Sequence, residues 1–150
     1  MKNRTTLNIA TVFGLGKLPL APGTWGSFAG LILCMVLHAN LILYITVFTG
    51  LLFLGAFAAG EAERIVGGKD PACIVIDEFV CIFPVFFLIP ADPLYVFTGF
   101  VLYRLMDVIK LPPARRLEKI EGGWGIMLDD LSAAVYTNLI LHIIVYLRVF

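Results

Sequence analysis

Apolar positions in this chain form long runs that charge interrupts only at their edges. Residues 1–26 are mixed and lead into a turn-rich segment from Gly14 to Ser27 that holds Pro19, Pro22 and four glycines. Ser27 to Gly60 then forms a run of 34 residues almost free of charge. One spanning helix needs about 20 residues, so this run is too long for one and short for two. His38-Ala39-Asn40 is the predicted break, giving a short helix over about 27–38 and a full span over about 41–60. Glu61 to Ala72 is polar, and Gly67-Gly68-Lys69-Asp70-Pro71 ends whatever helix precedes it. Cys73 to Met106 reads as a helical hairpin broken at Pro90-Ala91-Asp92-Pro93, with arms of about 15 and 14 residues, both short for a span. A basic loop covers 107–125, and Leu128 to Val149 forms the last long apolar helix. No repeat or low-complexity tract is visible.

The loops suggest an orientation. Lys2 and Arg4, then Arg64 and Lys69, then Arg104, Lys110, Arg115, Arg116 and Lys119 mark three segments as basic. If all three face the cytoplasm, as excess Lys and Arg favours, each hairpin starts and finishes there. Asp77, Glu78, Asp107, Asp129 and Asp130 then gather near one membrane face. Lys2 and Arg4 ahead of Ile9 to Leu15 look like a signal peptide, but the apolar stretch is short and runs into Gly14, Gly16 and Pro19. The N-terminus is therefore expected to be mature sequence.

Composition agrees with the pattern. The chain of 150 residues is 60% hydrophobic and 15% charged, with mean hydropathy +0.95. A soluble domain is about 45–50% apolar and about 25% charged, so an integral membrane protein of one domain, residues 1–150, is expected. Zero net charge argues against a nucleic-acid partner. Cys34, Cys73 and Cys81 fit no metal or redox spacing and read as small apolar residues. His38 and His142 read as packed or interfacial.

The five carboxylates carry the candidate chemistry. A charge beside hydrocarbon costs roughly 2.5–3.5 kcal/mol even on lenient insertion scales, and clustered hard oxygen ligands suit a divalent cation. Asp77 and Glu78 are neighbours, about 100° apart on a helix, so they share one ion only near a helix end or beside a second ion. Asp129 and Asp130 pose the same problem. Structural alternatives are an N-cap or first-turn role for Asp129 or Asp130, and ion pairs of Asp77 or Glu78 with Lys69 or Arg104. Arg104, Asp107 and Lys110 follow i, i+3, i+6 and share a helical face. They make either a salt-bridge ladder or an acid on the metal flanked by two phosphate-binding cations. Arg115 in the basic loop joins that candidate phosphate set. Pro22-Gly23-Thr24-Trp25-Gly26-Ser27 leads into a helix, with Thr24 or Ser27 as the expected N-cap and the free N–H groups as an anion site. Gly122-Gly123-Trp124-Gly125 makes a tight turn or admits a ligand close to the backbone. Trp25 and Trp124 suit the lipid head-group level.

Four blocks in this order resemble the phosphatidylglycerophosphatase A family, over about Gly14 to Leu141. They are Ala21-Pro22-Gly23-Thr24-Trp25-Gly26-Ser27; Asp70 with Ile74-Val75-Ile76-Asp77-Glu78; Tyr103-Arg104-Leu105-Met106-Asp107 with Lys110 and Pro113; and Gly122-Gly123-Trp124-Gly125-Ile126-Met127-Leu128-Asp129-Asp130. The chain departs from the family pattern at Cys81, Leu111, Glu118 and Ala134, none of them a proposed ligand. The resemblance implies a mostly helical, Mg²⁺-dependent phosphomonoesterase of the bacterial inner membrane, acting on phosphatidylglycerophosphate.

The expectation is thus an all-α, polytopic helical membrane bundle with short hairpin helices and a cytoplasm-facing site. Mg²⁺ would be held by some of Asp77, Glu78, Asp107, Asp129 and Asp130, which also form the candidate catalytic set. Arg104, Lys110 and Arg115 would meet phosphate, with Thr24 and Ser27 near a second phosphate. Two rivals stand beside it. A small cation transporter would want acids at mid-membrane depth. A lipid head-group transferase would carry an Asp-x-x-Asp-Gly pattern, which is absent.

Overall fold

A computed structural model describes residues 2–147, which form seven α-helices and no strand. The helices are α1 (Lys2–Ala10), α2 (Pro22–Leu37), α3 (Leu41–Val66), α4 (Ile76–Val85), α5 (Pro93–Ile109), α6 (Ala114–Leu117) and α7 (Gly123–Leu147), with a 3₁₀ turn at Leu15–Lys17.

Local chemistry accounts for most boundaries. Pro22 opens α2, where its missing N–H is no loss. The cap is Ala21 in a left-handed conformation (φ 52°), not Thr24 or Ser27, so the expected hydroxyl cap is absent. The break falls at His38–Asn40 as the pattern predicts, and Asn40 caps α3 by accepting from Leu43 N at 3.1 Å. Helix α3 continues past Gly60 to Val66, because Glu61-Ala62-Glu63-Arg64 are good helix formers and Arg64 pairs with Glu61 at 2.8 Å. Asp92 caps α5 and Pro93 opens it. Helix α4 stops at Val85, directly after Pro84, and is only ten residues long.

The last helix begins at Gly123, five residues earlier than the pattern suggests. Asp129 and Asp130 therefore lie in its second turn, and neither caps it or sits in the first turn. The glycine block answers its own ambiguity. Gly122 turns the chain at φ 75°, and Gly123 lets α7 cross α3 so closely that a Cβ would overlap the Ala56 carbonyl.

Helix α4 is the centre of the bundle. Its Val80, Cys81, Ile82, Phe83 and Val85 are fully buried, enclosed chiefly by α2, α3 and α7, with α5 alongside. Burying a side chain such as Phe83 stabilises by about 1.5–3 kcal/mol in water. With α4 filling the middle, the outer helices point apolar stripes outward. Phe28, Ile32 and Val36 on α2, Phe97, Val101 and Leu105 on α5, and Val135, Leu139 and Ile143 on α7 are all exposed. Stripes of this extent mark a membrane or partner surface. Helices α3 and α7 are long and apolar enough to cross a membrane. Helices α2, α4 and α5, at about 1.5 Å per residue, fall short of a hydrocarbon core of about 30 Å.

Chain direction sorts the bundle into two ends. The starts of α2, α4 and α7 and the ends of α3 and α5 meet at one end. The hairpin breaks meet at the other, where His38 Nε2 lies 2.7 Å from the Ile89 carbonyl. His38 is thus a packed histidine joining both breaks. The cysteines are free, with Cys34 and Cys81 buried, in keeping with a packing role.

Candidate active site

Helix α4 starts at Ile76, so Asp77 and Glu78 occupy its first turn, where negative charge complements the free N–H groups. A helix end also lets adjacent side chains converge. Asp130 joins them from α7, and one oxygen from each of the three residues lies within 4.8 Å of the others. An ion with metal–oxygen distances of about 2.0–2.6 Å spans such a gap. Asp77 and Asp130 are buried, and Glu78 is nearly so.

Helix α5 supplies the cationic wall. Arg104 Nη1 is 2.9 Å from Asp107 Oδ2 and 3.8 Å from Glu78 Oε1, and it donates to Ser27 Oγ at 3.3 Å. The buried Ser27 hydroxyl in turn donates to the Gly23 carbonyl at 3.0 Å. Gly23 itself packs on the site, since a Cβ there would overlap Glu78 Oε1. The Pro22–Ser27 block therefore seats Glu78 and Arg104 through a bare backbone and one hydroxyl. Thr24 is half-buried in the first turn of α2 and makes no side-chain hydrogen bond among the described residues.

Lys110 leaves the ladder that its spacing suggests. It sits past the end of α5 in a left-handed conformation (φ 50°), and its Nζ reaches Asp129 Oδ2 at 2.8 Å and Glu118 Oε1 at 3.2 Å. Among the described residues Asp107 forms its ion pair with Arg104 and not with Lys110, and it lies beside Asp130, while Asp129 stands apart from the group formed by Asp77, Glu78 and Asp130. Burial works against the Lys110 ammonium, but the hydrogen bond and charge of Asp129, then those of Glu118, raise its pKa above the usual lysine range. Arg115 is exposed on α6 and forms no ion pair among the described residues.

Charge does not balance here. Asp77 Oδ1, Glu78 Oε2 and Asp129 Oδ1 are buried and have no hydrogen-bond partner. Leaving an ionised group buried and uncompensated costs several kcal/mol. An all-oxygen donor set, net negative and with orphaned oxygens, is the chemistry a hard divalent cation satisfies, so the residues present fit such an ion. The N-terminal ends of α4, which carries Asp77 and Glu78 in its first turn, and of α2, whose Gly23 packs on Glu78, add positive dipole character at the same place.

Three residues escaped the sequence reading as site members. Tyr103 is fully buried, and its hydroxyl donates to Asp130 Oδ2 at 3.1 Å. Asp70 lies in the α3–α4 loop, with its backbone N–H donating to Glu63 Oε1 at 3.1 Å. Partial desolvation raises the Asp70 carboxyl, opposed by Lys110 and reinforced by Glu118, Asp107 and Glu63, so it belongs to the same electrostatic field. Gly23 is the third. Tyr103 offered the faintest signal, a buried-type aromatic four residues before Asp107.

Comparisons with known proteins agree over nearly the whole chain. A family model described as phosphatidylglycerophosphatase A matches residues 8–145. Phosphatidylglycerophosphatase A of Haemophilus influenzae is 39% identical over 142 residues, covering 92% of this chain and 87% of that protein. A Bacteroides thetaiotaomicron protein, provisionally named a phosphatidylinositol-3-phosphatase, is 32% identical over 149 residues, covering 90% of each. Phosphatidylglycerophosphatase A of Escherichia coli K12 is 32% identical over 139 residues, covering 91% of this chain and 81% of that protein. No solved structure gives a significant match.

Proposed function

The chain belongs to the phosphatidylglycerophosphatase A family, and we propose on that premise that it removes the terminal phosphate of phosphatidylglycerophosphate with the help of Mg²⁺. It is a lipid phosphatase. The observation that carries the metal reading is the convergence of Asp77, Glu78 and Asp130, with two of their buried oxygens unpartnered.

Asp77, Glu78 and Asp130 would hold the cation, which supplies positive charge against the phosphoryl oxygens. Arg104 binds the phosphoryl group from the α5 side and is itself held by Asp107, Glu78 and Ser27. Asp107, on α5 beside Arg104, takes the proton of an attacking water. The water oxygen bonds to phosphorus, the bond from phosphorus to the glycerol oxygen breaks, and one proton ends on that oxygen. The chain carries no Asp-x-Asp-x-Thr signature of aspartyl-phosphate enzymes, which favours direct attack by water. Asp129 acts through Lys110, fixing the ammonium beside the cluster. The starts of α2 and α4 assist any phosphate lying there.

In this reading the chain crosses the bacterial inner membrane through α3 and α7, with the carboxylate end towards the cytoplasm, the side favoured by Lys69, Arg115, Arg116 and Lys119. A cation transporter is disfavoured, because it would want its acids at mid-depth and these acids gather at one end of the bundle.

The test is phosphate release from phosphatidylglycerophosphate in detergent. Activity should vanish with a chelator and return with Mg²⁺, and full activity after exhaustive chelation would overturn the metal reading. Cysteines placed at Lys69 and Lys119 should label from the same, cytoplasmic side, and labelling from opposite sides would refute the orientation.

A further inference from the structure

Helices α2 and α5 meet sparingly, along facing stripes. Nearer the carboxylate end, Arg104 touches Ser27. One turn further from it, Phe28 meets Phe100 edge-on, with ring centroids 6.3 Å apart. The stripes grade in the same sense. On α5, Phe97, Phe100, Arg104 and Asp107 follow i, i+3, i+7, i+10, running from hydrocarbon to charge. On α2, Leu31, Phe28 and Thr24 run from hydrocarbon to hydroxyl. Phe28 is 48% exposed and Phe97 69% exposed, so the apolar part of the seam is open to the surroundings of the bundle. Charge above and hydrocarbon below is the mould of an amphiphile with a phosphate head, and the seam is continuous with the site.

We propose that the α2–α5 seam is the lateral doorway through which the lipid substrate reaches the site, one acyl chain lying past Phe28 and Phe100 while the phosphate meets Arg104. This rests on the phosphatase reading above and adds where the substrate lies. The seam is preferred over the groove between α3 and α7, about 470 Å³ and lined by Tyr44, Phe48, Leu52, Leu131 and Leu139. That groove is also apolar, but Arg104 and Asp107 do not line it. The ring contact makes the doorway a gate, because a chain passing between Phe28 and Phe100 must part them.

A phosphatidylglycerophosphate carrying a diazirine in one acyl chain should photolabel α2 and α5 at or beside Phe28, Leu31, Phe97 and Phe100. Adducts confined to the α3–α7 groove, or spread evenly over the lipid-facing stripes, would overturn the proposal. Labelling needs no turnover, so it decides the doorway even if the protein releases no phosphate, an outcome that would overturn the phosphatase reading instead. A second arm uses Phe28→Cys with Phe100→Cys in a Cys73→Ser background, bridged by a short bis-methanethiosulfonate, which joins the two thiols with loss of methanesulfinate. Bridging should slow hydrolysis of the long-chain lipid about tenfold, a barrier of about 1.4 kcal/mol. A water-soluble glycerol phosphomonoester should be hydrolysed at its unbridged rate. Equal slowing of both substrates, or of neither, would overturn the doorway.

Discussion

The two ends of this bundle are built from the same helices and treat buried polar groups in opposite ways. At the hairpin end the groups at the breaks find partners. His38 meets the Ile89 carbonyl, Tyr44 donates to the Phe83 carbonyl at 2.5 Å and lies 3.1 Å from Cys34 Sγ, and Asn138 donates to the carbonyls of Val85 and Phe87 at 3.0 Å each. Asn138 thereby satisfies carbonyls at and just beyond the C-terminal end of α4. At the carboxylate end, three buried oxygens are left without partners. A satisfied network holds a scaffold together, whereas an unsatisfied one made only of carboxylate oxygens is the donor set that a divalent cation would satisfy. The contrast separates two kinds of buried polar residue that look alike in a list of burial values.

Substitution at the two ends should therefore split activity from stability. The largest effect is expected at the converging acids. Asp77→Asn and Asp130→Asn should each lower turnover by roughly 10²–10³-fold, while the thermal melt without metal stays level or rises as buried like charge is removed. A melt that falls as far as activity would make these acids structural. Next comes metal linkage in the unaltered chain. Mg²⁺ at about a hundred times its dissociation constant should stabilise by about 2.7 kcal/mol, read as a raised melting temperature in detergent. Asp77→Asn should abolish that rise. An equal rise in the variant would place the ion elsewhere.

Tyr103→Phe tests support of the site from behind. Losing the bond to Asp130 should weaken Mg²⁺ binding about 10–100-fold, measured by titrating the melt against Mg²⁺, and an unchanged midpoint would make Tyr103 a packing residue only. Its mirror at the hairpin end is Tyr44→Phe. That change removes one of two hydrogen bonds to the Phe83 carbonyl, which keeps the Phe86 N–H, and should lower stability by about 0.5–1.5 kcal/mol, with Mg²⁺ affinity and turnover unaltered. The smallest effect is expected at Glu118→Gln, because an ion pair to Lys110 with Glu118 41% exposed is worth about 0–1 kcal/mol. A large activity loss there would draw the Lys110–Asp129 corner into the chemistry itself.

Much of the fold was legible because hydrocarbon runs and breakers act locally. The breaks at His38–Asn40 and Pro90–Pro93 stand where the pattern puts them, and the gathering of acids at one end followed from the order of hairpins and basic loops. Helix ends were less legible. Helix α3 runs on to Val66 and α7 starts at Gly123, because charged helix formers extend the one and a close crossing with Ala56 fixes the other. The N-cap roles considered for Thr24, Ser27, Asp129 and Asp130 failed for the same reason, since a cap depends on the first helical residue and that residue was misplaced.

The sequence by itself determined the class of the protein, the number of long apolar helices and the carboxylates brought to one end. Composition, length and periodicity act through local solvation and need no partner segment. Only the tertiary structure decided how those acids divide. Asp129 and Asp130 are adjacent in the chain, yet a rotation of about 100° per residue sends Asp129 to Lys110 and Asp130 to Asp77, Glu78 and Tyr103. That choice depends on where α4 and α5 pack around α7, a long-range arrangement that no local pattern encodes.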